Sequence, residues 1–183
     1  MTEFVVLVDE NDKETGKMEK QEAHLKGVLH RAISVFIFNS KGELLLQQRA
    51  DGKYHSANLW TNTCCSHPRQ GEKVHDAATR RLIEEMGLRC DLKEVFSFVY
   101  KAKLDRQLTE HEYDHVFIGM TDDTPVPDAA EVAAWKYINP DDLAMEIKLY
   151  PEKYTAWFKI CFHEWGNKLF ITLPRSLSKN NNK

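Results

Sequence analysis

Apolar positions along the chain recur in two rhythms. Between Val74 and Met86 they return every three or four residues, so that Val74, Ala77, Ala78, Leu82 and Met86 share one side of a helix. On that helix Arg80 and Glu84, and likewise Arg81 and Glu85, stand one turn apart. Gly87 is suited to end it, because glycine enters the left-handed conformation without a Cβ clash.

Elsewhere the rhythm is that of strands. Phe4 to Val8 reads as a short strand closed by a polar turn at Asn11-Asp12-Lys13. Lys17 to Leu25 brings Lys20 and His24 ahead of a turn at Gly27. Ile33 to Phe38 and Leu44 to Arg49, joined by Asn39-Ser40-Lys41-Gly42, read as a hairpin. Trp60 to Pro68 reads as a polar turn carrying thiols and an imidazole. Val95 to Tyr100, Glu110 to Gly119 and Val132 to Ile138 are further strands, with a turn over Leu104 to Leu108. Asn139-Pro140 caps a helix beginning near Leu143, and a longer helix runs from about Pro151 through Tyr154, Trp157, Phe158, Cys161 and Trp165. Strands that bracket a helix and end in late helices predict an α+β, or layered α/β/α, domain over residues 1–175, with 176–183 a polar, disordered tail.

Composition narrows the class. The 183 residues are 42% hydrophobic and 29% charged, as in globular proteins, and suffice for one well-buried core. A net charge of -3 argues against nonspecific nucleic-acid binding, so an anionic ligand must be held by local cations. The amino terminus lacks the basic start and long apolar run of a signal peptide, and no stretch reaches the length of a membrane span. Cys64, Cys65, Cys90 and Cys161 form no disulfide framework, which points to a reducing cytoplasm.

Candidate chemistry lies in separated segments. His24, His30, His67, Glu110 and Glu112 are possible metal ligands, and Glu110 and Glu112, two apart on a strand, share a face. Neighbouring carboxylates repel, and a bound cation relieves this; an exposed Glu-x-Glu face is the alternative. His55, His75, His111, His115 and His163 read as structural.

Glu72, Arg80, Leu82, Glu84, Glu85, Gly87 and Leu88 fall at the intervals of the Nudix signature helix, which this segment resembles. Ser66 stands where that pattern has a glycine, and Arg81 where it has a glutamate. Leu29-His30-Arg31-Ala32, the run from Trp60 to Pro68 and Glu110-His111-Glu112 together resemble the type 1 isopentenyl-diphosphate isomerases, which are Nudix-fold enzymes, over about Phe4 to Trp165. The resemblance implies a Nudix-like α/β/α sandwich with a mixed sheet and additional C-terminal helices.

It further implies that His24, His30, His67, Glu110 and Glu112 hold one divalent metal, and this donor set suits Mn²⁺ or Zn²⁺ better than Mg²⁺. The interval from His24 to His30 is shorter than in some members. A Mg²⁺ would arrive with the substrate diphosphate and be held by Glu85 and the Cys65 carbonyl, while Lys20, Arg49, Lys53 and Arg81 grip the phosphates. Cys65 and Glu112 would be the opposed acid and base, Tyr100 would relay a proton, and the Trp157 face would stabilise a tertiary carbocation. The implied partner is a small isoprenoid diphosphate, with no nucleic acid or membrane, and the chain a monomer or weak homodimer. Two rivals remain. A Nudix hydrolase of nucleoside diphosphate derivatives has Arg81 against it, and a noncatalytic zinc module would need wider cysteine spacing than Cys64-Cys65 provides.

Overall fold

The computed structural model describes residues 2–104 and 107–171. The elements run, in chain order, β1 (Phe4–Val8), β2 (Glu14–Glu19), α1 (Lys20–Lys26), β3 (His30–Phe38), β4 (Leu44–Arg49), β5 (Trp60–Thr61), β6 (Cys64–Ser66), α2 (Val74–Met86), β7 (Leu92–Lys103), β8 (Thr109–Met120), β9 (Val132–Ile138), α3 (Pro140–Leu149), a 3₁₀ turn (Pro151–Lys153) and α4 (Ala156–Ile171).

The strands form one mixed sheet. β3 lies at its centre, parallel to β8 from the His30/Glu112 pair to the Phe38/Met120 pair and antiparallel to β6. Its near-continuous apolar run is that of a strand buried on both faces. Ile33, Val35 and Ile37 pack with Ala78, Leu82 and Met86 of α2. Phe36 and Phe38 face the other way, against Leu143, Trp157, Phe158 and Cys161 of the C-terminal helices. The strand alternation therefore builds two cores, one on each face, and gives the layered α+β class expected.

Helix α2 spans the periodic segment and ends at Gly87, whose φ of 65° is left-handed and whose N–H donates to the Ile83 carbonyl. A Cβ there would sit 2.6 Å from the Val126 carbonyl oxygen, so the position requires glycine both for conformation and for space. Asn139 caps α3 through the Asp141 and Asp142 N–H groups, and β9 has the bounds read from sequence.

Lys17 to Leu25 is the end of a strand followed by a helix, divided at Glu19, whose carboxylate caps α1, and the turn falls at Gly27 as expected. Three expectations need correction. The hairpin closes only at its base, where Phe38 pairs with Leu44. Beyond that pair β4 runs beside β9 and β5, while β3 runs beside β6 and β8. The wedge between them is the Trp60 to Ser66 segment, which contains two short strands rather than a free turn. The Thr63 hydroxyl accepts from Ile37 N and donates to Leu45 O, and Asn62 Nδ2 donates to Val35 O, so side chains replace the ladder hydrogen bonds that the parting strands lack. Finally, the helix drawn from Pro151 is broken at Tyr154-Thr155, where Trp60 and Tyr154 form a parallel bridge and Thr155 N donates to Trp60 O. The turn at Leu104 to Leu108 includes residues 105–106, and it and the expected tail at 176–183 lie partly or wholly outside the described residues.

Candidate active site

Adjacent residues of β6 point to opposite faces, which separates the two cysteines. Cys64 is buried in the α2-side core, and Cys65 packs on the α4 side. On that side a cavity of about 240 Å³ is lined by Cys65, His67, Tyr100, Glu110, Glu112 and Trp157, with Lys20, Arg49, Lys53 and Arg81 also in its wall. These residues come from α1, β4, β6, α2, β7, β8, α4 and the connecting loops, so only the folded sheet brings them together.

Glu112 lies opposite Tyr100 in the β7/β8 register, and Tyr100 Oη donates to Glu112 Oε2 at 2.5 Å. His67 Nε2 is 2.9 Å and His30 Nε2 3.6 Å from Glu112 Oε1. Burial acts to raise the Glu112 carboxyl, but the neighbouring His30 and His67 imidazoles hold it well below the usual carboxylate range. Burial drives the His67 imidazole down to about 3 and pushes the Cys65 thiol up to about 12, so His67 is neutral and Cys65 carries its proton near neutrality. Burial and the Glu112 charge raise Glu110.

Beneath the cavity His24 and His30 are fully buried. Each turns Nδ1 toward a backbone carbonyl, Lys20 O at 2.6 Å and Val28 O at 2.8 Å. A neutral imidazole that donates from Nδ1 presents a lone pair at Nε2. His24 Nε2 lies 3.0 Å from Glu110 Oε2. Yet both of these atoms, and His30 Nε2, are buried without an aligned hydrogen-bond partner among the described residues. Imidazole nitrogens and carboxylates that converge so closely call for a positive charge between them. Either a proton on His24, whose pKa burial lowers but Glu110 raises overall, or a divalent cation can supply it. His24, His30, His67 and Glu112 offer ligand atoms within 4.8 Å of one another, and Glu110 reaches the same region through His24. Three imidazoles and two carboxylates therefore fit a transition metal.

Three of the four cations are engaged with acids. Lys20 pairs with Glu3 at 2.8 Å, Lys53 pairs with Glu131, and Arg81 lies 3.4 Å from Glu131. Arg49 lies over the Trp157 ring, 5.2 Å from its centroid, with its buried Nε unpartnered among the described residues. Glu85 stands apart from the cavity wall. Its oxygens are taken by Arg81 Nη2 at 2.6 Å and Gln47 Nε2 at 2.9 Å.

A NUDIX domain model matches residues 28–158. The chain is 58% identical to the isopentenyl-diphosphate Delta-isomerase of Pectobacterium atrosepticum, over 86% of this chain and 88% of that one. It is 51% identical to isopentenyl-diphosphate Delta-isomerase 2 of Aromatoleum aromaticum, over 88% and 85% of the two chains. The chain belongs to the isopentenyl-diphosphate Delta-isomerase family. Its fold is also that of a solved protein of Deinococcus radiodurans, with a TM-score of 0.74 at 18% identity, covering 89% of this chain and 99% of that one.

Within this isomerase-family fold, three groups at the site escaped sequence reasoning. His55, read as structural, is buried against the cavity with Nε2 3.5 Å from Glu110 Oε1. Asp114 continues the Glu110, Glu112 face of β8, is buried, and accepts from Ser34 Oγ at 2.7 Å. Glu131 comes from the loop before β9 to meet Lys53 and Arg81. The face of β8 could have been extended by its two-residue period to Asp114. Nothing in spacing or composition singles out His55 or Glu131.

Proposed function

We propose that the chain converts isopentenyl diphosphate into dimethylallyl diphosphate. The observation that carries this reading is one cavity lined by the Cys65 thiol and by a phenol-bonded carboxylate, Glu112, with four cations in the same wall. The names of the relatives support the same reaction.

The chemistry asks for such a pair. An unactivated alkene is a very weak base, so an acid must lie close to its terminal carbon, and a base must take a proton from the carbon on the diphosphate side. Cys65 and Glu112 fill these opposed roles, with Tyr100 holding and exchanging a proton at Glu112 Oε2. The tertiary carbocation between the two steps carries no counter-ion, and Trp157 offers it a π face worth about 2 kcal/mol when desolvated. A confined, aromatic-edged site also keeps water from trapping the cation. Lys20, Arg49, Lys53 and Arg81 orient the diphosphate, and the buried, unpartnered Nε of Arg49 supports that role.

His24, His30, His67, Glu110 and Glu112 would hold one Mn²⁺ or Zn²⁺, which when bound would fix the Glu112 carboxylate and strengthen its polarity. Glu85, with the Cys65 carbonyl, would receive a Mg²⁺ brought by the diphosphate. In this reading residues 1–175 form one catalytic domain, working in the cytoplasm as a monomer or weak homodimer.

Turnover of isopentenyl diphosphate with divalent metal in deuterated water tests the proposal. Deuterium should enter a rearranged alkene with the diphosphate intact. Release of phosphate without rearrangement would favour the hydrolase instead.

A further inference from the structure

His55 is the one histidine in this wall for which neither the reaction nor the five-ligand set has a use. Its position is nonetheless enforced. The loop from Asp51 to Leu59 carries Ser56 and Asn58 in the left-handed region, with φ of 50° and 62°. Asparagine tolerates that conformation and serine does so less readily, so the loop is held in a costly shape. Three contacts hold it: Arg49 Nη2 donates to His55 O at 3.2 Å, Asn58 N donates to Arg49 O, and Asn58 Nδ2 donates to Asp51 Oδ1. Their result is that an otherwise polar loop turns His55 inward to 6% exposure.

Its ring is oriented as are those of the buried ligand candidates. His55 Nδ1 lies 3.3 Å from Ser56 Oγ, which leaves Nε2 facing Glu110 Oε1. His24 and His30 likewise direct Nδ1 outward to a fixed partner and Nε2 inward. The His24 and His55 ring centroids are 5.8 Å apart, and His24, His55 and Glu110 offer ligand atoms within 4.8 Å of one another, all three residues buried. One juxtaposition marks this trio as wanting a cation: His24 Nε2 and Glu110 Oε2 lie 3.0 Å apart, buried, and neither makes an aligned hydrogen bond among the described residues.

We propose that His55 is a metal ligand of this protein, completing with His24 and Glu110 a second cation niche beside the His24, His30, His67 and Glu112 group. His24 and Glu110 also belong to the five-ligand set, and His24 Nε2 has one lone pair. A nitrogen-preferring ion such as Zn²⁺ therefore occupies one niche or the other, with four imidazoles offered to it in all. The inference rests on the metal centre argued above and extends it to a residue outside that ligand set.

The test uses the whole protein, labelled with ¹⁵N-histidine, stripped of metal and titrated with Zn²⁺ alone. Long-range ¹H–¹⁵N spectra report whether each imidazole Nε2 moves to a metal-bound shift, and His55→Gln assigns the His55 signals. If that variant fails to fold, His55→Phe retains an aromatic ring at the site and serves the same purpose. The expected result is a metal-bound Nε2 for His55 as well as for His24, and Zn²⁺ affinity lowered about tenfold or more in the His55 variant. Movement of His24, His30 and His67 with His55 unchanged would overturn the second niche and leave the metal centre standing. No movement of any imidazole would overturn both.

Discussion

Tyr100 and Glu112 face each other across β7 and β8, and the phenol donates to the carboxylate at 2.5 Å inside a buried site. A hydrogen bond of that length to an ionised oxygen is among the stronger kinds, and it fixes which way the carboxylate presents its second oxygen. Tyr100→Phe should therefore lower kcat roughly tenfold to a hundredfold with KM little changed, while Cys65→Ala and Glu112→Gln should remove turnover. All three should retain the wild-type circular dichroism. Steady-state kinetics decide the matter, and normal turnover by a purified Cys65→Ala variant would end the acid–base assignment.

Stripping the metal should inactivate reversibly and also lower thermal stability, because the folded chain alone holds the converging imidazoles. Zn²⁺ at a hundred times its Kd should add about 2.7 kcal/mol to stability. For a chain of this size that corresponds to roughly 5–10 °C in Tm by calorimetry. A Tm that ignores Zn²⁺ would contradict a site built from buried donors.

Arg81 joins the rim of the cavity to the buried carboxylate beneath it, donating to Glu85 at 2.6 Å. Burial opposes its charge, but Glu85 and Glu131 raise its pKa. Arg81→Ala leaves Glu85 its hydrogen bond from Gln47 but removes the cation bonded to it, and should cost about 3 kcal/mol in urea denaturation while raising KM for the diphosphate substrate. An unchanged midpoint would show that Glu85 does not depend on this cation.

Glu72 receives two hydrogen bonds from Arg80, at 2.7 and 2.8 Å, which hold its carboxyl below the usual 4.5. A depressed folded pKa contributes stability that is complete above the unfolded value and disappears as pH falls through the folded one. The stability difference between wild type and Glu72→Gln should thus be about 1 kcal/mol at pH 7 and shrink below pH 4.5. Denaturation at pH 7 and pH 3 measures it; a difference that grows in acid would refute the linkage.

What could be read from sequence followed from how local each signal is. Helix α2, its Arg81 and Glu85 pair and its Gly87 end all depend on residues within one or two turns, and they stand as expected. The β3 pairings do not, since β6 and β8 lie some thirty and eighty residues further along the chain in register pairs such as Ser34/Cys65 and His30/Glu112. No local pattern encodes such partners, and the turn at Asn39 alone suggested a full hairpin. At the site, the carboxylates of β8 were visible through their period of two. His55 was hidden because a single histidine in a polar loop has no periodicity, and its inward turn depends on Arg49 and on two left-handed residues.

β3 bears β6 on one edge and β8 on the other, so the strand that carries Cys65 and the strand that carries Glu112 are both hydrogen-bonded to one ribbon. A slip of a single residue on either edge would turn one of the two side chains away from its counterpart. The spacing between those two side chains is thus gauged by main-chain register, while Glu131, from the loop before β9, meets the cations Lys53 and Arg81. A change in that loop can therefore alter how those cations are held while leaving the strand register, and the spacing it sets, untouched.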